Sequence, residues 1–186
     1  MKPELERRLA SLDTASAAEA LVRGYGPEIL GFLVALLRDD DAADEAFAVF
    51  SEDVWRGLPS FKREASYRTW AYLLARHAAL RVDRADQRRR KRFGPGGTSA
   101  AEKVAWDVRS TTRPFMRTEA KGALRALRES LEQRERELLV LRIDRGLGWD
   151  DIAVVLEESP ATLRKRFERT KEKLRTQAIA RGLISE

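Results

Sequence analysis

The seven residues GPGGTSA, at 94–100, set the strongest limit on what this chain can fold into. Three glycines free the backbone and Pro95 cannot continue a helix, so no single core runs through the middle of the 186 residues. From there to Thr118 the scattered apolar residues Val104, Trp106, Val108, Phe115 and Met116 show no sustained period. On both sides the pattern is helical. Before the break, segments are expected at 14–23, 27–38, 41–57 and 66–92, the first two separated by Gly24-Tyr25-Gly26-Pro27. After it they are expected at 118–129, 132–145, 149–156 and 160–178. The expected architecture is all-α: two small helical domains, 1–93 and 118–186, joined by a flexible linker, 94–117.

Composition narrows the class. Charged residues make up 35% and hydrophobic ones 43%, and Ala, Leu, Arg and Glu dominate, which favours helix and leaves no substantial sheet. There is no cysteine and only one histidine, His77. Disulfides and thiolate metal sites are thereby excluded, and a histidine-based nucleophile or zinc site has almost nothing to draw on. The expectation is a non-enzyme with no cofactor and no metal. MKPELERRLASLD has no apolar leader region, and no stretch reaches the roughly 18 apolar residues of a membrane span, so a cytoplasmic protein without a membrane partner is expected.

The formal net charge is +6, and the positive charge is gathered in two places. In WDDIAVVLEESPATLRKRFERTKEKL, Ile152, Val155 and Leu156 mark a short helix ending at Glu157-Glu158. Ser159 is a suitable N-cap and Pro160 suits the first helical position. Leu163, Phe167, Thr170 and Leu174 form the inward stripe of a second helix whose other faces carry Arg164, Lys165, Arg166, Arg169, Lys171 and Lys173. That is the pattern of a helix-turn-helix, its second helix entering a major groove N-terminus first. In such a pose Ala161, Thr162 and Lys165 reach base edges, and Arg164, Arg166 and Arg169 lie nearer phosphates.

The second basic stretch, RVDRADQRRRKRF at 81–93, has seven Arg or Lys against Asp83 and Asp86. Just before it, PSFKREASYRTWAYLLARHAAL mixes Phe61, Tyr67, Trp70 and Tyr72 with Lys62, Arg63, Arg68 and Arg76. Aromatics beside cations suit unstacked bases. Trp70 shares a helical face with Leu74 and reads as core, which leaves Phe61, Lys62, Arg63 and Ser66 as the candidates for base contact.

One stretch has the opposite sign: DDDAADEAFAVFSEDVW, at 39–55. Together, YGPEILGFLVALLRDDDAADEAFAVFSEDVW and SFKREASYRTWAYLLARHAAL resemble region two of the extracytoplasmic-function sigma factors, the two-domain branch of the sigma-seventy family of bacterial transcription initiation factors. RELLVLRIDRGLGWDDIAVVLEESPATLRKRFERTKEKLR resembles their region four. The resemblance runs from Tyr25 to Arg175, with both blocks in the family's order.

The resemblance implies a subunit that binds core RNA polymerase, directs it to promoters and helps open the DNA, performing no covalent chemistry. Region two would recognise and melt the minus-ten element and region four, with Ser159, Ala161, Thr162, Arg164, Lys165, Arg166 and Arg169, would read the minus-thirty-five element. Phe61, Lys62, Arg63, Ala65 and Ser66 match the loop that captures a flipped base of the non-template strand. Arg68, Arg76, His77, Arg81 and Arg84 lie along the helix that meets the minus-ten duplex. The acidic helix matches the one that docks on the clamp helices of the polymerase's largest subunit, through Asp41, Asp44, Glu45, Phe47, Ala48, Ser51, Glu52 and Asp53. An anti-sigma factor is a further partner that this branch suggests, and Ser51 on the acidic helix suggests a regulatory kinase.

The chain departs from the family pattern at identifiable places. His77 stands where many members have Asn, Gly148 where a Ser-like cap is usual, and Glu158 where an apolar turn residue is usual. On the docking helix Ala43 replaces an acid, and Phe47 and Ala48 fall where a Gln and a second acid belong. Glu52 and Asp53 would partly compensate, and phosphorylation of Ser51 would add about −1.5 to −2 charge there. Two rival readings make different demands. A helix-turn-helix regulator acting without polymerase would bind duplex sites alone. A Mg²⁺-dependent nuclease would need converging carboxylates, whereas successive Asp residues on a helix diverge.

Overall fold

A computed structural model describes residues 3–93, 127 and 130–184. The expected linker, 94–117, and most of the segment expected at 118–129 lie outside the described residues. Among the described residues the regular structure is entirely helical, as the composition predicts. By backbone contacts the chain separates into two units, Met1–Pro95 with Asp150–Glu158, and Gly96–Trp149 with Ser159–Glu186.

The first unit begins with α1 (Pro3–Ser11), followed by α2 (Thr14–Leu37), α3 (Asp40–Gly57), a single 3₁₀ turn (Leu58–Ser60) and α4 (Tyr67–Phe93). Asp13 caps α2 by accepting from the N–H groups of Ala15 and Ser16 at 3.0 and 3.1 Å. These bonds, the Ser16 side chain first among them, hold its carboxyl below the ordinary range. Asp39 does the same for α3, accepting from Ala42 N at 2.8 Å, and Asp40 and Asp41 then sit in the first turn, where the helix dipole favours acids. The core is formed by faces of α2, α3 and α4, with Tyr25, Ile29, Phe32, Phe50 and Tyr72 fully buried. Phe32 meets Tyr72 edge-to-face, ring centres 5.2 Å apart.

Two features of α2 differ from the sequence expectation. It is one continuous helix through Gly24-Tyr25-Gly26-Pro27, because Leu21, Tyr25 and Ile29 all face the core and their burial outweighs the local punctuation. Its glycines have packing roles: a Cβ at Gly24 would overlap the methyls of Leu5, and one at Gly26 would lie 3.3 Å from Cζ of Phe47. Contrary to the expectation that no stretch reaches a span's length, the 24 residues of α2 are long and apolar enough to cross a membrane. In the unit that apolar surface is core surface, and Glu19, Arg23 and Glu28 interrupt it. Residues 3–11, not expected to be helical, form α1 and bury Leu9.

In the second unit α5 (Gln133–Leu139) runs into a π-helical turn (Val140–Asp144), and Gly146 reverses the chain at φ 64°. Short α6 (Trp149–Leu156) spans the boundary between the units. Helix α7 (Pro160–Ala180) starts as expected: the Ser159 hydroxyl accepts from Thr162 N at 3.2 Å and Pro160 occupies the first turn. Leu163, Phe167 and Thr170 are buried and Leu174 is half-buried. Lys173 reaches Glu135 at 2.8 Å, tying α7 to α5.

Candidate nucleic-acid interface

Residues 61–66 connect the 3₁₀ turn to α4. The Phe61 ring, half-buried, stacks on Trp70 with centres 4.7 Å apart and also meets Tyr67 at 5.1 Å. Lys62, Arg63 and Glu64 are exposed, and Ala65 is half-buried. Arg63 has a left-handed backbone, φ 58°, and donates to the Ala10 carbonyl at 3.2 Å. The Ser66 hydroxyl caps α4 by accepting from Thr69 N at 3.0 Å. The first two N–H groups of α4, Tyr67 and Arg68, donate to the Glu6 carboxylate of α1, each at 3.0 Å. Trp70 N then bonds the Ser66 carbonyl at 3.0 Å, so every amide of the first turn has an acceptor.

Further along α4 the basic side chains divide by direction. Arg68 turns inward: its side chain is 14% exposed, pairs with Glu28 and lies over the Tyr72 ring at 5.6 Å. Burial lowers its affinity for a proton, but the bond to Glu28 and its charge more than offset this, so the guanidinium is held more firmly charged than in water. The Tyr72 hydroxyl donates to the same Glu28 oxygen at 2.7 Å. Beside this cluster, Tyr25 donates to Glu6 at 2.7 Å, and burial together with that carboxylate pushes its phenol well above the ordinary range. Arg81 and Arg84 face outward in a shallow basic depression shared with Gln87 and Arg88. Arg81 also pairs with Asp53 of α3. Arg76 and His77 meet Glu157 at 3.4 and 3.3 Å, and the Thr69 hydroxyl donates to Asp151 at 2.6 Å.

Helix α3 presents a different surface. Asp41, Asp44, Glu45, Ala48, Glu52 and Trp55 are all exposed, Trp55 to 49%, and they recur at three- and four-residue spacings. Phe47, by contrast, points at Gly26 of α2 and meets Phe50 at 5.6 Å. Ser51 is half-buried with its hydroxyl donating to the Phe47 carbonyl at 2.9 Å. Asp53 is 18% exposed and engaged by Arg81.

On α7, Ser159, Ala161, Thr162, Arg164, Lys165 and Arg169 are exposed, whereas Arg166 is half-buried. The guanidinium of Arg164 lies 5.8 Å from the ring centre of Trp149, and that of Arg142 lies 4.8 Å from it. Trp149 in turn meets Phe167 edge-on at 5.5 Å. The indole thus supports one of the basic side chains of α7 by a cation–π contact.

Residues 21–92, which span α2 to α4 with their basic and acidic faces, match the family model of sigma-70 region 2. Over that part of its length the chain is similar to sigma-70 proteins. The RNA polymerase sigma-H factor of Pseudomonas aeruginosa is 29% identical over 168 residues, covering 84% of this chain and 83% of that protein. Two solved structures share the fold. The sigma factor RpoE of Bartonella quintana, in complex with the anti-sigma factor NepR, has a TM-score of 0.61 at 16% identity, over 83% of this chain and 92% of that one. CnrH, in complex with the cytosolic domain of CnrY, has a TM-score of 0.64 at 18% identity, over 95% and 96%.

Glu6, Trp55 and the Arg142–Trp149 contact were not among the residues expected from the sequence. Trp55 was visible as an apolar residue one heptad after Ala48 on an otherwise acidic face. Glu6 carried no local signal, because its partners lie 61 and 62 residues away.

Proposed function

We propose that this protein is a sigma factor of the extracytoplasmic-function type, which binds core RNA polymerase, recognises promoter DNA and promotes strand opening. Its working parts are region two over 1–93, a linker over 94–117 and region four over 118–186. The observation that carries the reading is the separation of charge on neighbouring helices. Helix α3 exposes Asp41, Asp44, Glu45 and Glu52, while α4 exposes Arg81, Arg84 and Arg88. A surface of each sign in one small unit suits two partners of opposite charge, and each repels the other's. The acidic stripe suits basic helices of the polymerase clamp. The basic surface and the loop 61–66 suit the minus-ten region, first as duplex and then as melted non-template strand. Exposed Ala161, Thr162, Arg164, Lys165 and Arg169 suit the minus-thirty-five element. An anti-sigma factor is a fitting regulator, since both structural relatives are seen with such a partner or with a partner's cytosolic domain. The site of action is the cytoplasm.

The test is reconstitution. The purified chain should co-elute with core polymerase and support run-off transcription from sequences recovered out of a randomised duplex pool. Asp44→Arg with Glu45→Arg should abolish co-elution while leaving the helix content intact. Equal affinity for duplex sites with and without core enzyme, and no co-elution, would refute the reading in favour of a stand-alone regulator.

A further inference from the structure

We infer that α1 is a splint for the strand-capturing loop, with Glu6 as its positioning residue. The inference rests on the proposal that 61–66 captures a non-template base, and goes beyond it by assigning a role to a helix outside the matched residues 21–92. Three contacts tie α1 to this loop. The two Glu6 oxygens accept from Tyr67 and Arg68 N–H, the first two amides after the loop. The Ala10 carbonyl, at the other end of α1, accepts from Arg63 in the middle of it. Leu5, packed where a Cβ on Gly24 would stand, seats α1 on α2 and fixes the position from which Glu6 reaches across.

The chemistry explains why a residue so far away is needed. Ser66 can reach only one of the orphan amides at the start of α4, that of Thr69. Without Glu6 the Tyr67 and Arg68 amides lose these acceptors, and the first turn of α4 unwinds to find water. Arg63 meanwhile sits in a left-handed conformation that non-glycine residues adopt only when held. Phe61 is fixed by its stack on Trp70 and by Phe61 N donating to the Leu58 carbonyl at 3.2 Å. The loop is therefore anchored at its start by its own aromatics and at its middle and end by α1. A loop ordered in advance loses less entropy when it takes up a flipped base.

Holoenzyme is assembled with wild type, Glu6→Ala, Glu6→Gln and Leu21→Ala, the last removing buried methyls from α2. Each is given a promoter that the wild-type holoenzyme recovers from a randomised duplex pool. Closed-complex affinity is read by footprinting in the cold, and opening by permanganate reactivity of unpaired thymines. Glu6→Ala should bind core and closed promoter as wild type does and open about five- to tenfold less of it. Glu6→Gln keeps an acceptor for Arg68 and Tyr25 but loses the one for Tyr67, so its opening should fall only about two- to threefold. Leu21→Ala, scored per folded molecule, should open as wild type does. Opening by Glu6→Ala and Glu6→Gln equal to wild type overturns the inference, as does an equal loss in Leu21→Ala, which would make the effect one of general stability. If Glu6→Ala does not fold, the intermediate loss in Glu6→Gln decides. A wild-type holoenzyme that transcribes nothing from the pool refutes the sigma reading itself, and the wild type alone shows it.

Discussion

Arg68 has two incompatible roles to choose from, and its stability effect separates them. As a phosphate contact it would be dispensable for folding. In the structure it is instead the cation of a nearly buried pair, with side-chain exposures of 14% for Arg68 and 20% for Glu28. Arg68→Met keeps the stem and removes the charge. It deletes the charge-assisted bonds to Glu28, worth about 1.5–3 kcal/mol each when the donor is ionised, and leaves the Glu28 carboxylate beside the Tyr72 hydroxyl in a poorly hydrated site. The expected loss is about 3 kcal/mol, roughly 160-fold in the unfolding equilibrium, out of the 5–15 kcal/mol typical of a domain. Amide hydrogen exchange of α4 reads this locally, so unfolding of the second unit does not confuse it. Arg68→Met with Glu28→Leu should recover most of the loss, because neither charge is then buried alone. Loss under about 1 kcal/mol in the single variant, or simple additivity in the double, would refute the buried-pair reasoning and return Arg68 to the DNA-facing surface.

Tyr25→Phe should flatten the alkaline limb of the stability curve. The folded phenol titrates above its ordinary value near 10, so its contribution is complete below that pH and declines above it, by up to about 1.4 kcal/mol per pH unit; an unchanged limb in urea titrations would count against the Tyr25–Glu6 bond. Gly24→Ala should cost about 1 kcal/mol, the overlap with Leu5 at about 1–3 kcal/mol outweighing a helix-propensity gain near 1, and should speed exchange of the Tyr67 and Arg68 amides. In the second unit, burial raises the Glu135 carboxyl but the bond from Lys173 and the Glu132 amide bring it below the usual range. Its contribution is therefore complete above the ordinary carboxylate value and lost as pH falls below it through the lowered folded one, and acid unfolding of Glu135→Gln should lack that component. Trp55→Ala should leave stability within about 0.5 kcal/mol and weaken core-polymerase binding about tenfold, measured by competition for core enzyme.

What was readable in the sequence was what is encoded locally. The start of α7 follows from Ser159-Pro160 and the spacing of Leu163, Phe167 and Thr170, three consistent signals within twelve residues. The helix at 41–57 was readable for the same reason, Asp39 supplying its cap. The break expected at Gly24–Pro27 is a local signal that tertiary packing overrides, since those glycines make room for Leu5 and Phe47. Helix α1 carried Leu5 and Leu9 at helical spacing, a signal within the sequence itself. Direction was the least legible property at the candidate interface. Nothing near Arg68 distinguishes it from Arg81 or Arg84; its partner Glu28 lies forty residues upstream. Phe61 likewise suits a base or another aromatic equally well, and Trp70 supplies the latter.

Phe47 links the core to the exposed acidic face of α3. A polar residue there would meet Gly26, whose missing Cβ leaves a notch that the Phe47 ring fills at 3.3 Å from the ideal Cβ position. One side chain thus has two consequences: α3 is without a polar group at this position, and α2 and α3 pack through an apolar ring. What remains for a basic partner is the exposed stripe from Asp41 to Glu52, ending in Trp55. Asp53, expected to stand in for the missing acid, is already committed to Arg81. Its charge therefore steadies α3 against α4, and Glu45 and Glu52 remain, beside Asp44, among the exposed acids within about one turn of the gap at Ala48. Reversal of either should weaken core binding more than reversal of Asp53, whose loss should instead free Arg81 and loosen the packing of α3 on α4.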